Sequence, residues 1–485
     1  MAVPPLSLAA GAAFLLYCVY NFIIYPVFLS PLAKIPNAHP TSPISPLWML
    51  WNRYRAKNNR TIHAAHKKHG PIVRLGPSEI SVNCVDNGIR TIYIGGFEKH
   101  DWYPRQFGSH GTISMFSMVH SKPHSVRKRM LSNIYSKSYL QTSPHLDKVS
   151  QVMIGERLLP LLQKAAESSS PLDVYDLNNA FTMDFVSSYI FGLRSTPNLT
   201  QDLRRRRHFL YIYQCRREFE FWDQELPGIA PWSKRLGIPL IPKYCDDAND
   251  ELEAYVLDMC DNAEKYLSTT DVRSEPVVYK QLKQSLLKQE ATKGNEHGSM
   301  ATTPEQRRLD IACEMLDQVT AGHETSAIAL TYLYWEMSRN PSLQAELRAE
   351  LETLSPPITY PNKSSFELPE PKDVEALPLL QAIVTETLRL HAPIPGIQPR
   401  VTPSPPTSLA GYDNIPPNIR VSAQAYSLHR NPDVFEDPDT FNPKRWINAE
   451  DAELEEMKRW FWAFGSGGRM CVGSNLALQG STPDE

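Results

Sequence analysis

Three regimes of hydrophobic patterning follow one another along the chain. Leu6 to Tyr25 is an uninterrupted uncharged stretch, and twenty helical residues rising ~1.5 Å each reach roughly 30 Å, the thickness of a bilayer's hydrocarbon core. This predicts a membrane helix. A cleaved signal peptide would need a basic leading segment, which residues 1–5 lack. Next comes a segment dense in proline (Pro26, Pro31, Pro36, Pro40, Pro43, Pro46), which predicts a stiff, extended connector. Beyond residue 50 the apolar positions recur mostly at helical spacing. A short alternating run, Ile72–Leu75, a Gly76-Pro77-Ser78 turn and Glu79–Asn83 predict a β-hairpin. From Thr303, an N-cap followed by Pro304, to Arg339 before Asn340-Pro341, the pattern predicts a single helix of about 35 residues and ~50 Å. Leu343–Leu354 and Val374–His391 predict two more helices. Strand signals are too few for a βαβ series, and there is no internal repeat. The expected class is mainly α with small β-sheets, organised as a membrane anchor (1–29), a proline-rich hinge (30–50) and one large domain (51–485).

Composition narrows the functional classes. With 42% hydrophobic and 21% charged residues over 485 positions, the chain can bury a large core. A net charge of −3 provides no basic field for nucleic acid, and the Arg204–Arg207 run lacks the interleaved aromatics of a base-stacking surface. The seven cysteines show no disulfide or zinc spacing, which points to a reducing compartment. Basic residues follow the apolar stretch at Lys34, Arg53, Arg55, Lys57 and Arg60. By the positive-inside rule the body is cytosolic and the N-terminus is on the opposite, lumenal side, a single-pass arrangement. The sequons at Asn59, Asn198 and Asn362 then stay unglycosylated.

Candidate chemistry sits in three places. Near the C-terminus, Phe464-Gly465-Ser466-Gly467-Gly468-Arg469-Met470-Cys471-Val472-Gly473 presents one cysteine from a glycine-rich loop at the start of a helix. Glycines let such a backbone pass close to a flat ligand, and amide N–H groups with a helix N-terminus favour the thiolate at Cys471. Within the long helix, Ala321-Gly322-His323-Glu324-Thr325 puts small residues where a flat cofactor could lie. The Thr325 hydroxyl can bond the carbonyl one turn back and open a break that holds water, and Glu324 beside it is a proton source. Small residues at helix centres also mark close packing, and His323 reads as structural or at a pocket edge. Third, Glu386 and Arg389 lie on one helical face, where an exposed pair would contribute only tenths of a kcal/mol.

The residues Phe464, Gly467, Arg469, Cys471 and Gly473 resemble the Phe-x-x-Gly-x-Arg-x-Cys-x-Gly signature of the cytochrome P450 family, and the chain is similar to its fungal microsomal, class II members. The resemblance implies a P450-like fold carrying haem b, with Cys471 as axial ligand to the iron and Phe464 in the cofactor loop. It assigns proton delivery to Thr325 and Glu324. It nominates Arg469, Arg400, His124 and Lys128 as partners of the haem propionates. Trp and Arg are usual where His124 and Lys128 stand, and Arg127 is an alternative cation. Glu386, Arg389 and Arg445, with Pro438, Phe441 and Pro443, match motifs that in the family build a buried network beneath the cysteine loop. The activity implied is monooxygenation of an apolar small molecule with O2 and with electrons from NADPH, delivered by NADPH–cytochrome P450 reductase, in fungal secondary metabolism. Apolar, aromatic and proline-rich stretches at 107–118, 211–240 and 392–398 are the expected pocket walls.

One departure stands against this pattern. After Leu478-Gln479 the sequence turns to Gly480-Ser481-Thr482-Pro483-Asp484-Glu485, a helix-stopping run. Family members continue with a full helix and a β-hairpin, so the expectation is a domain truncated at its C-terminus. Two readings stay open at this point: a membrane-anchored haem-thiolate monooxygenase, or a truncated, non-catalytic membrane protein derived from one.

Overall fold

A computed structural model describes residues 5–294, 303–356 and 367–478. The helix-stopping run after Gln479 and the sequon at Asn362 lie outside the described residues. The apolar N-terminal stretch forms α1 (Pro5–Val19) and continues through Tyr20–Leu29 with a wider π-type winding. Pro26 accounts for the change, because it has no N–H for the carbonyl four residues back. The Ser30 N–H accordingly reaches the carbonyl of Tyr25, five residues back, at 2.7 Å. Ala9–Leu29 spans 21 residues with mean hydropathy 1.9; its most apolar stretch has no buried residue, while Pro26 towards its end is buried.

The chain forms two compact units: residues 1–100, 394–438 and 455–470 in the first, the remainder in the second. In the first unit the proline-dense segment is not a free spacer. Leu32 and Ile35 are buried, and the segment adds backbone bonds to a strand edge, Arg74 N–H to Pro36 and Ala38 N–H to Arg74 at 2.8 and 3.0 Å. Helix α2 (Leu47–Tyr54) follows. The predicted hairpin is present as β1 (Ile72–Gly76) antiparallel to β2 (Glu79–Val82), with Ile72 opposite Val82. Two short strands far along the chain complete the sheet, β3 (Arg400–Val401) and β4 (Arg420–Ser422), in the order β1-β2-β4-β3. Strand β4 runs parallel to β2, which places Arg420 opposite Glu79. Arg53 also pairs with Glu79, so this one of the basic residues after the apolar stretch is neutralised inside the fold.

The second unit is helical. Its principal helices are α3 (Trp102–Phe107), α4 (Ser121–Leu131), α5 (Val174–Phe191), α6 (Leu203–Arg217), α7 (Glu220–Glu225), α8 (Lys243–Glu264), α9 (Pro304–Arg339), α10 (Pro341–Leu351), α11 (Pro371–Glu375), α12 (Pro378–Leu390) and α13 (Ser474–Ala477). Helix α9 has 36 residues, and the Thr303 side chain caps it by accepting from the Gln306 N–H at 3.1 Å, as its sequence predicts. It packs on α5, α6 and α8 through Ile311, Met315 and Val319, which meet Met183, Val186, Phe209, Ile212 and Leu252 in one buried cluster. Each such side chain contributes ~1.5–3 kcal/mol by leaving water. The predicted helix 374–391 is in fact split into α11 and α12. Pro378 explains the split, since its ring holds Leu377 in an extended conformation (φ −82°, ψ 103°).

Candidate active site

On α9 the small residues divide between two tasks. A Cβ at Gly322 would come within 2.6 Å of Val186 Cγ2, so Gly322 exists for the packing of α9 on α5 and not for a cofactor. Ala321 is exposed. The Thr325 hydroxyl donates to the Ala321 carbonyl at 2.7 Å, as expected, yet the helix runs on without a break, so the predicted water-holding gap is not formed. One hydroxyl bond back to a carbonyl leaves the N–H ladder intact.

Glu324 does not sit against the Thr325 hydroxyl. Successive side chains leave a helix ~100° apart, and Glu324 turns towards α6, where it accepts from the Tyr213 hydroxyl at 2.9 Å and pairs with Arg217. Arg217 in turn holds Glu220 at 3.2 Å. Neither Tyr213 nor Arg217 was identified from the sequence, because their pairing is made only by the crossing of α6 over α9. His323 is fully buried, edge-on to Tyr213 and Phe209 with ring centroids at 4.6 and 5.5 Å. Its Nε2 has no hydrogen-bond partner, and burial lowers its pKa to about 4, which makes it a neutral packing residue.

Cys471 belongs to the same unit. Its surface is exposed, while backbone N–H groups of Gly473 and Ser474 and the charge of Lys128 act on the sulfur. Burial of the sulfur nonetheless pushes its pKa up, outweighing those three favourable influences. The expectation that loop amides and a helix N-terminus hold a thiolate by themselves is therefore corrected: α13 is four residues long, too short for a substantial dipole. Direct coordination to a metal deprotonates a thiol outright. Lys128 and the buried His124 both lie on α4. Arg127 does not stand in for them, since its guanidinium lies 3.5 Å from Glu314. Glu314 is buried on α9 and also accepts from the Met115 N–H at 2.8 Å.

In the first unit, the half-buried Phe464 opens the loop. Gly465 and Gly467 both have φ +71°. A Cβ at Gly467 would approach the Tyr93 carbonyl oxygen to 2.4 Å, so this glycine is required by the neighbouring backbone of the protein itself, not by a flat ligand. Arg469 pairs with Glu98 at 3.2 Å. Arg400 is buried, donates to the Pro399 carbonyl at 3.0 Å and stacks 4.8 Å from the Tyr93 ring. In the second unit, Glu386 and Arg389 are fully buried. Glu386 accepts from Arg389 at 2.7 and 2.8 Å, the Asn442 N–H at 2.9 Å, Trp446 at 2.9 Å and Arg445 at 3.1 Å. Burial alone would raise its pKa, but these donors and the Arg389 and Arg445 charges hold it below the usual value.

A helical body that presents one supported cysteine from a glycine-rich loop defines the haem-thiolate class of protein. Residues 40–481 match the cytochrome P450 family, and the chain belongs to that family. It is 30% identical to the cytochrome P450 monooxygenase avaI of Aspergillus versicolor over 87% of this chain and 95% of that protein. It is 28% identical to sdnE of Sordaria araneosa over 95% and 87%, and 25% identical to aflU of Aspergillus parasiticus over 94% and 85%. It is thus an oxidoreductase of the monooxygenase type, and membership implies a haem iron with a thiolate ligand. The residues at Cys471 fit that group: two backbone N–H donors and the Lys128 cation act on its sulfur.

Proposed function

We propose that the protein is a membrane-anchored monooxygenase of fungal secondary metabolism, inserting one oxygen atom of O2 into an apolar small molecule with electrons from NADPH through NADPH–cytochrome P450 reductase. The observation that carries this reading is Cys471, with the Gly473 and Ser474 amides and the Lys128 charge directed at its sulfur. When bound, a haem with a thiolate ligand supplies the activation of O2. Cys471 would ligate the iron, with the two amides limiting the charge on its sulfur. His124, Lys128, Arg400 and Arg469 are the cations for the propionates, and Phe464 belongs to the cofactor loop. The Thr325 hydroxyl spends its proton on Ala321, which leaves its oxygen lone pairs to accept from a water. The Glu324 carboxylate is held towards α6 by Tyr213 and Arg217, so to serve that water it must leave these contacts, take up a proton from solvent and then give it to the water, returning to the carboxylate form. The apolar span at 9–29 lies in the endoplasmic reticulum membrane, with the body cytosolic.

The test is the ferrous–carbonyl spectrum of the purified protein alongside haem stoichiometry. The wild type should show the red-shifted Soret band of a thiolate complex, and Cys471→Ser should lose it, because an alcohol is a poor ligand for this iron chemistry. A band that persists in Cys471→Ser removes Cys471 from the role. A wild type that binds no haem overturns the reading.

A further inference from the structure

Two distant stretches of the first unit, residues 394–438 and 455–470, both meet Tyr93. This tyrosine lies in the segment Val85–Ile94 and is buried. Its hydroxyl donates to the Gln398 carbonyl at 2.7 Å and accepts from the Ala423 N–H at 2.9 Å, and the Gln398 N–H donates to the Ala423 carbonyl at 3.1 Å. A phenol used as donor and acceptor at once, between two backbone segments that are themselves paired, holds its ring in one place. The Trp462 ring packs on it with centroids 4.7 Å apart, and the Arg400 guanidinium lies over it, 4.8 Å from the centroid. Its backbone carbonyl oxygen is the atom that a Cβ at Gly467 would approach to 2.4 Å, so the turn Gly467–Arg469 rests on the same residue.

The main chain at Arg400 is placed by other contacts. Arg400 stands opposite Val421 in the sheet, and the Val401 N–H donates to the Glu98 carbonyl at 2.9 Å. Those contacts fix the backbone and leave a long side chain whose ordering costs rotamer entropy. The guanidinium is aimed by contacts of its own, among them the Pro399 carbonyl at 3.0 Å and the Tyr93 ring. Arg400 and the ring are both buried, where water competes less for the cation and the contact is stronger than at a surface.

We propose that Tyr93 is a positioning residue of the haem site, whose ring presets the Arg400 guanidinium to meet a propionate while its carbonyl seats the turn that carries Arg469. This rests on the haem reading above. A side chain already locked in its binding rotamer loses less entropy when its ligand arrives. The ring should therefore act on haem retention, and the hydroxyl, which ties two backbone segments together, on stability.

The test follows haem release from the haem-loaded, full-length protein in detergent to excess apomyoglobin, with the thermal midpoint recorded for every variant. Tyr93→Phe keeps the ring and removes the hydroxyl, so its midpoint should fall while its release rate stays within about 2-fold of wild type. Tyr93→Leu removes the ring and should release haem about 10-fold faster. Arg400→Gln should also speed release, and in that background Tyr93→Leu should add less than about 2-fold, because the ring acts through this guanidinium. Should Tyr93→Leu fail to fold, a trifluorinated phenylalanine at position 93 keeps the ring and weakens its negative face; release faster than in Tyr93→Phe supports the proposal, and an equal rate overturns it. Release unchanged in Tyr93→Leu, release equally fast in Tyr93→Phe and Tyr93→Leu, or a double variant whose two effects multiply overturns it as well. A wild type that binds no haem overturns the haem reading and this proposal together, whereas a haem-loaded wild type with unaffected variants overturns this proposal alone.

Discussion

Removing the Glu386 carboxylate should expose how much the buried ion network is worth. In Glu386→Ala the five donors lose their acceptor, and the fully buried Arg389 guanidinium, which also donates to the Thr440 carbonyl at 3.1 Å, loses its carboxylate counter-charge. Breaking a buried pair by deleting one partner costs about 3–5 kcal/mol, because an uncompensated charge remains. For 485 residues the unfolding entropy is ~1 kcal/mol/K, so the thermal midpoint should fall by about 3–5 °C. The double variant Glu386→Leu with Arg389→Met should lose less than Glu386→Ala alone, since the fully buried Arg389 charge goes with its partner and only the Arg445 guanidinium loses its carboxylate. The pH dependence adds a second check. Glu386 has a folded pKa below its usual value, so its stabilisation is fully present above the unfolded value of ~4.3 and is lost as pH falls through the folded value. Differential scanning calorimetry from pH 7 to pH 3 should show a constant gap between wild type and Glu386→Ala that closes only below about pH 4.3. A loss under about 1 kcal/mol, or a gap that does not narrow in acid, would refute the account of this network.

Thr325→Ala should keep haem content and substrate-induced spectral shifts while product per NADPH falls and peroxide rises; unchanged coupling would reduce Thr325 to a packing residue. His323 has its folded pKa lowered to about 4, so the unfolded chain takes up the proton more readily and the wild type loses stability as pH falls from ~6.5 towards that value. His323→Leu should remove about 2 kcal/mol of this acid penalty at pH 5, measured as the variant-minus-wild-type difference between pH 7 and pH 5, and identical slopes would contradict it. Gly467→Ala combines φ +71° with a 2.4 Å approach to the Tyr93 oxygen and should cost about 1–3 kcal/mol, whereas Gly468→Ala, with open space around its Cβ, should cost clearly less. Equal losses at the two positions would show that the Tyr93 contact does not matter.

Features carried by local rules were legible in the sequence. The uncharged run became a helix long enough to cross a membrane, the Gly76-Pro77-Ser78 turn joined the first two strands, and Thr303 with Pro304 opened a 36-residue helix. These depend on neighbouring residues, whose propensities and caps act over a few positions. The cysteine loop was legible for a different reason, since its residues are contiguous. Tertiary structure alone decided who meets whom. Gly322 answers to Val186 and Gly467 to Tyr93, and in each pair the partner is more than a hundred residues away in sequence. Glu324 is held by Tyr213 and Arg217 because α6 crosses α9, and Arg127 is taken by Glu314. Cys471 shows the division most plainly: its position was readable, but the balance between burial and the Lys128 charge at its sulfur arises only when distant segments pack, because desolvation and Coulomb interaction depend on distance in space and not along the chain.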